Sequence, residues 1–248
     1  MKLYTVQTET QIPPLANNHI SVDCVVLGFD GEQMKVLLVN RDGDGYNQKF
    51  HTMKLPGSLI YQDEDLDGAA ARVLNELTGL RNVNLVQFKA FGSKDRTRNL
   101  RDVLWLERAQ KAHVERIVTV AYIALIKIDR AIDKALEVHN ATWVGISEIP
   151  ELAFDHNLII EEALSHIRHL VEVHPAMLFD LLPRKFTATQ LRNLYEVLQR
   201  KSIDVRNFHK KLSTLDYVVA LEERQQGVAH RAARFYKFDR KIYNKTRK

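Results

Sequence analysis

The sequence predicts an α+β chain in two parts, a domain of strands with a short helix followed by a small basic domain of helices and a β-hairpin. Three observations carry this. β-branched runs and one short amphipathic helix share roughly the first 150 residues, helical apolar spacing takes over from about 156, and the charge reverses sign between the parts. Residues 184–248 hold 17 Lys and Arg against 6 Asp and Glu, a balance of +11, whereas residues 1–183 hold 19 against 25, a balance of −6. An acidic body with a basic end directs the basic part towards a polyanion.

The elements follow in order. Residues 20–40, ISVDCVVLGFDGEQMKVLLVN, read as a hairpin whose two β-branched runs flank the turn Asp30-Gly31. Residues 64–77 predict a helix, with Glu64 and Asp65 near its start and Gly79 past its end. Strand patterns recur at 83–91 and 117–128, and Trp143-Val144 ends the series. Residues 92–116 are polar and charged and predict a loop insertion with a helical turn. Pro150 closes this block. From His156 to Val171, Ile159, Ile160, Ala163, Leu164, Ile167, Leu170 and Val171 return at helical spacing, leading through His174-Pro175. The expected division is 1–152 for the first domain, 153–182 for a linker helix and 183–248 for the basic domain.

Residues 183–240 fit a winged helix-turn-helix. Thr187 is placed to cap a helix with Leu191, Leu194, Tyr195 and Leu198 on one face. A second helix, VRNFHKKLSTL, sets Val205, Phe208, Leu212 and Leu215 on an apolar stripe. Its other face offers Arg206, Asn207, His209 and Lys210, side chains suited to phosphates and major-groove base edges. YVVAL and RFYKF then read as strands joined by a turn with Gln226, His230 and Arg231, the outline of a wing. The ordinary fate of such a charged face is solvation.

Composition limits the function classes. Apolar content of 45% and charge of 27% fit a soluble globular chain, and no apolar stretch is long enough to span a bilayer. The start MKLYTVQTET lacks the apolar core of a signal peptide. Cys24 is the only cysteine, which rules out an intrachain disulfide and a cysteine-based metal cluster. The expected compartment is a reducing cytoplasm.

Residues 57–80, GSLIYQDEDLDGAAARVLNELTGL, resemble the Nudix box: Gly, five residues, Glu, seven residues, then Arg-Glu-apolar-any-Glu-Glu-any-Gly-apolar. Arg72, Glu76, Gly79, Leu80 and the upstream Glu64 match it, although Gly57 lies one residue too far away. The three helix carboxylates expected of the box fall at Val73, Glu76 and Leu77, so one survives. Mg²⁺ requires several oxygen ligands. Val73 and Leu77 stand i and i+4, as a packing pair does. The segments LAFDHN (152–157), FTATQLRNLYEVLQRKSIDVRNFHKKL and AHRAARFYKF resemble a family of Nudix-related transcription regulators. One departure is Ala232-Ala233, where a Pro-Ala-like pair is expected.

The resemblance implies a Nudix-like αβα sandwich with a mixed sheet, followed by the winged domain. It also implies a homodimer on an operator with two-fold symmetry, no catalysis, no metal and no cofactor. Absent metal ligands weaken the case for a diphosphate effector, so the expected effector is a pentose, arabinose first, in a repressor of carbohydrate utilisation. The alternatives are an ADP-ribose-responsive regulator of NAD metabolism, a hydrolase using Glu64 and Glu76, or a protein-binding adaptor. By the same resemblance the pocket involves Asp23, Lys54, Tyr122 and His156. Arg96, Arg98 and Arg101 would clamp a phosphate, although a charged loop predicts solvation for them.

Overall fold

The computed structural model describes residues 15–41, 53–110, 113–114, 116–227 and 232–246, and its spine is strand β1 (Ala16–Phe29). β1 turns at Asp30-Gly31 into β2 (Met34–Asn40), as the turn residues predict. Gly31 has φ +106°, a conformation that disfavours any side chain, and Asp30 Oδ1 accepts from the Glu32 and Gln33 amides at 2.9 Å. β1 pairs in parallel with β6 (Val118–Lys127) and antiparallel with β4 (Gly57–Tyr61). β3 (Met53–Lys54) and β7 (Ala141–Gly145) join β2, and β5 (Val86–Phe91) joins β6, completing a seven-stranded mixed sheet.

The period of two along β1 sorts the core into two faces. Val22, Cys24 and Val26 pack beneath α1 (Leu66–Thr78) and α3 (Arg130–Val138). Val25, Leu27 and Phe29 pack beneath α4 (His156–Val173). The result is the expected αβα sandwich. α1 starts two residues later than predicted because Asp65 is its N-cap, accepting from the Gly68 amide at 2.7 Å, and Gly79 closes it at φ +72°.

The insertion at 92–116 differs from the expected loop. It holds a 3-10 turn (Lys94–Thr97) and the full helix α2 (Leu100–Gln110). Leu106 and Val114 bury against Leu59 and Ile117 in a small third core, with Trp105 packed beside it. The apolar residues of α2 bunch at Val103–Leu106 instead of recurring at helical spacing, and Asp102 is buried while Leu100 and Leu104 are exposed, so the pattern gives little periodic signal for a helix.

α4 lies on the sheet as an outer layer, and the connection beyond it is buried. Leu178 and Phe179, in a 3-10 turn (Pro175–Asp180), and Leu181 and Leu182 belong to one core with Val25 of the sheet and Leu191 of the next helix. β8 (Phe186–Thr187), α5 (Ala188–Gln199), α6 (Val205–Leu212), β9 (Val218–Arg224), β10 (Arg234–Phe238) and α7 (Arg240–Thr246) then form the winged domain, with sheet order β8-β10-β9. Thr187 caps α5 in a reciprocal box with Gln190. α6 is shorter than predicted: the hydroxyls of Ser213 and Thr214 donate to the Lys210 and Lys211 carbonyls at 2.8 and 2.7 Å just past its end. Phe208 and Leu212 of its stripe are buried, but Val205, in its first turn, is half exposed. No helix among the described residues is long and apolar enough to cross a membrane.

Candidate functional site

Four elements bring charged groups together under the insertion. β1 supplies Asp23, which shares the α4 face with Val25. Gly57 on β4 admits it: a Cβ there would stand 1.9 Å from Asp23 Oδ1, so this backbone approach requires glycine. The 3-10 turn at 94–97 supplies Arg96, and Asp155 and His156 come from the start of α4. Arg96 Nη2 donates to Asp23 Oδ2 at 2.7 Å, and its Nη1 pairs with Asp155. His156 Nδ1 accepts from the Leu55 amide at 3.0 Å, which leaves the ring hydrogen on Nε2, 3.4 Å from Asp23 Oδ1. Burial opposes the charged form of Asp23. His156 and Arg96 outweigh burial and hold its carboxyl well below the usual carboxylate range.

Lys54, on β3, is buried beside them and donates to the Leu55 and Gly57 carbonyls at 3.2 and 2.6 Å. Burial pulls its ammonium down to about 8, with Asp23 acting in the opposite direction. α2 covers this group. The Trp105 ring lies 4.4 Å from the Arg41 guanidinium and 5.6 Å from Lys54 Nζ, centroid to cation. Asp102 Oδ1 accepts from Arg41 at 2.6 Å and its Oδ2 accepts from the Phe154 amide at 3.0 Å, tying α2 to the start of α4. The cavity among these residues is about 30 Å³, room for roughly one water.

Asp23, Lys54 and His156 therefore stand together, and Tyr122 does not stand with them. Tyr122 is the register partner of Cys24, whereas Asp23 partners Ala121, so the ring points to the opposite face. Its hydroxyl donates to Asp67 at 2.6 Å, at the first turn of α1. Arg96, expected to be solvated, is 6% exposed, while Arg98 and Arg101 are on the surface. Arg41, Asp102, Trp105 and Asp155 were missed. Asp155 lay inside LAFDHN, but its role needed the fold to bring residue 96 beside it.

The box-like helix has a different chemistry. Glu64 accepts from Arg72 Nε at 2.9 Å and from the Tyr61 amide at 2.7 Å, and Glu76 accepts from Arg72 Nη1 at 3.1 Å. One guanidinium thus holds both surviving acids. Val73 is fully buried and Leu77 packs against the same core. No group of three or more His, Cys, Asp or Glu side chains suited to a metal ion occurs among the described residues. Beside this helix runs an open groove of about 800 Å³ lined by Glu64, Asp65, Asp67, His19, Gln87 and Val120.

In the winged domain Arg206, Asn207, His209 and Lys210 are all exposed on α6, and Gln226 is exposed beyond β9. Asp204 caps α6 by accepting from the Asn207 amide at 2.9 Å, leaving the Asn207 side chain free of capping. Lys211 lies over the Tyr195 ring at 4.3 Å. His230 and Arg231 lie outside the described residues.

Comparison with known proteins agrees with both halves. Residues 17–164 match the NUDIX domain, and residues 178–238 match the NrtR DNA-binding winged helix domain. The chain is 27% identical over 230 residues to the ADPR responsive transcriptional repressor NtrR of Acinetobacter baylyi, covering 91% of this chain and 84% of that protein. Among solved structures, Shewanella oneidensis NrtR complexed with a 27mer DNA aligns with a TM-score of 0.61 at 26% identity, over 89% of this chain and 93% of that one. A MutT/nudix family protein from Enterococcus faecalis aligns at 0.60 and 22% identity, over 92% and 89%, and shares the fold.

Proposed function

Because this chain belongs to the NUDIX domain family and carries a winged helix domain of the NrtR type, we propose that it is a DNA-binding transcriptional repressor whose effector is ADP-ribose or a close anionic relative. The observation that carries the effector class is Arg96, a buried guanidinium lining a cavity, with the buried ammonium of Lys54 beside it. Buried cations are costly unless an anion answers them. Asp23 and Asp155 answer Arg96 in this structure, and an anionic effector can take the place of a carboxylate there, whereas a neutral pentose, the effector first expected from the sequence, offers Arg96 no charge in exchange. The curated relative is named for its response to ADPR, which supports the same choice. The groove over the box-like helix is larger, but its acids Glu64, Asp65 and Asp67 repel a diphosphate.

The sandwich binds without hydrolysing. Its two surviving box acids answer to Arg72, and aliphatic side chains fill the other two positions. In the winged domain, α6 enters the major groove with Arg206, Asn207, His209 and Lys210, and Gln226, His230 and Arg231 act from the wing. Two copies related by a two-fold axis meet a symmetric operator, and the effector releases them from it.

Calorimetry with ADP-ribose and L-arabinose, paired with a gel shift on duplexes selected from a random pool, tests this. Binding of ADP-ribose alone, with release of the retained duplex, is the expected result. Binding of arabinose alone would replace the effector. Mg²⁺-dependent cleavage of ADP-ribose, lost in Glu76→Gln, would replace the function.

A further inference from the structure

We infer that Asp155 is the movable counter-ion of this site, a carboxylate that an anionic effector displaces from Arg96 and that then caps helix α4. The inference rests on the effector reading above and supplies its switch. Asp155 occupies the N-cap position of α4, yet its side chain makes no capping hydrogen bond. Aspartates at the starts of α1, α3, α6 and α7 all accept from the first-turn amides of their helices: Asp65, Asp129, Asp204 and Asp239. The carboxylate of Asp155 pairs with Arg96 instead, on a backbone at ψ 25° where Asp65 and Asp129 stand at 171° and 168°, so capping by Asp155 also requires its backbone to turn to the extended region.

One carboxylate therefore has two competing partners, a guanidinium and a helix N-terminus. The cavity holds roughly one water, so an anion reaches Arg96 by replacing a carboxylate and not by filling empty space. Asp23 is the harder one to move: it is enclosed, backed by Gly57 and faced by His156. The side chain of Asp155 is 17% exposed, at the solvent edge. Once an incoming phosphate takes Arg96, Asp155 is released to accept from amides in the first turn of α4. The re-set turn is felt downstream, because Ile167 and Val171 of α4 share one core with Leu191 and Leu194 of α5. A ligand shifts such an equilibrium only by its differential affinity for the two states, and the exchange of anions at Arg96 supplies that difference.

The test uses the full chain and separates charge from capping. Asp155→Asn and Asp155→Ser keep a capping side chain and remove the charge, so either serves if the other folds poorly. Asp155→Ala removes both. Without effector, Asn and Ser are expected to slow amide exchange at 156–159 and to weaken operator binding fivefold or more. They are also expected to tighten ADP-ribose about tenfold, since its competitor is gone. Ala should tighten ADP-ribose but leave exchange unslowed. Unchanged exchange and operator affinity in both Asn and Ser overturn the switch. If wild type binds ADP-ribose and neither variant binds it more tightly, the switch fails and the effector reading stands. If wild type does not bind ADP-ribose while exchange and operator affinity still shift, the effector reading fails and the switch stands.

Discussion

The side-chain amide of Asn193 donates to the Gly31 carbonyl across 3.2 Å, joining the first hairpin turn of the sandwich to helix α5 of the winged domain. β1 runs unbroken from Asp23 to that turn, so one strand touches the charged cluster at one point and the winged domain at another. Gln190, half of the α5 capping box, also stands against Gly31.

Asn193→Ala removes a link between domains without touching either the cluster or α6. A single such hydrogen bond contributes about 1 kcal/mol. The expected result is an unchanged ADP-ribose affinity, with the ratio of operator affinities without and with effector reduced by about three- to tenfold. Anisotropy titrations of a labelled operator at zero and saturating ADP-ribose measure that ratio. The same ratio in wild type and variant would mean that coupling bypasses the hairpin.

Lys54 makes stability depend on pH in a definite direction. Its unfolded value is near the ordinary 10.5 and its folded value about 8. Between those limits the unfolded chain holds the extra proton, so this residue makes stability rise as pH increases from about 8 towards 10.5. Each unit of displacement corresponds to about 1.4 kcal/mol. Lys54→Met lacks this contribution, and the difference between the two urea midpoints isolates it from other titrating groups. Wild type should gain on the variant across that range; a flat difference would show that Lys54 is not held as the structure places it. ADP-ribose affinity should fall above pH 8 in wild type, as the ammonium is lost.

What the sequence disclosed follows from how local each signal is. The Asp30-Gly31 turn, the Gly79 end of α1 and the Thr187 cap depend on residues within four positions of each other, and all were legible. Asp23, Lys54 and His156 were named together, and they stand within one cluster. Tyr122 was named with them, but the parallel register of β1 with β6 sets it opposite Cys24, and register is not written in either strand alone. Arg96 looked solvated because its neighbours are charged. Its burial depends on Asp23, 73 positions away, and on Asp155, 59 positions away. The missing box acids were visible at once, whereas the use of Arg72 to hold both survivors needed the fold.

Val73 and Leu77 define a second test of the box. Val73→Glu with Leu77→Glu restores the acids in sequence but sets one of them at a fully buried position. An unpaired buried carboxylate costs several kcal/mol, against a total stability of about 5–15. The double variant should melt well below wild type, and Mg²⁺ should not restore the midpoint. A midpoint near that of wild type, raised further by Mg²⁺, would show that this helix still accepts a metal.

Helix α6 separates charge from sequence reading. Lys210 and Asn207 are both exposed on it and both expected to face DNA, but they differ in kind. A lysine answers phosphates, whose neutralisation releases counter-ions and sets the salt slope of binding. An asparagine carries no charge and is suited to pair with an adenine edge. Lys210→Ala should therefore weaken all duplexes alike and lower the slope of log affinity against log salt by about one. Asn207→Ala should leave the slope intact and cost about 1–3 kcal/mol on the selected operator alone, narrowing its advantage over random duplex. The Asp204 cap uses the Asn207 backbone amide, so this variant keeps the helix start. Anisotropy titrations at several salt concentrations give both quantities. Equal loss on operator and random duplex for Asn207→Ala would place base reading elsewhere, and an unchanged slope for Lys210→Ala would turn α6 away from the phosphates.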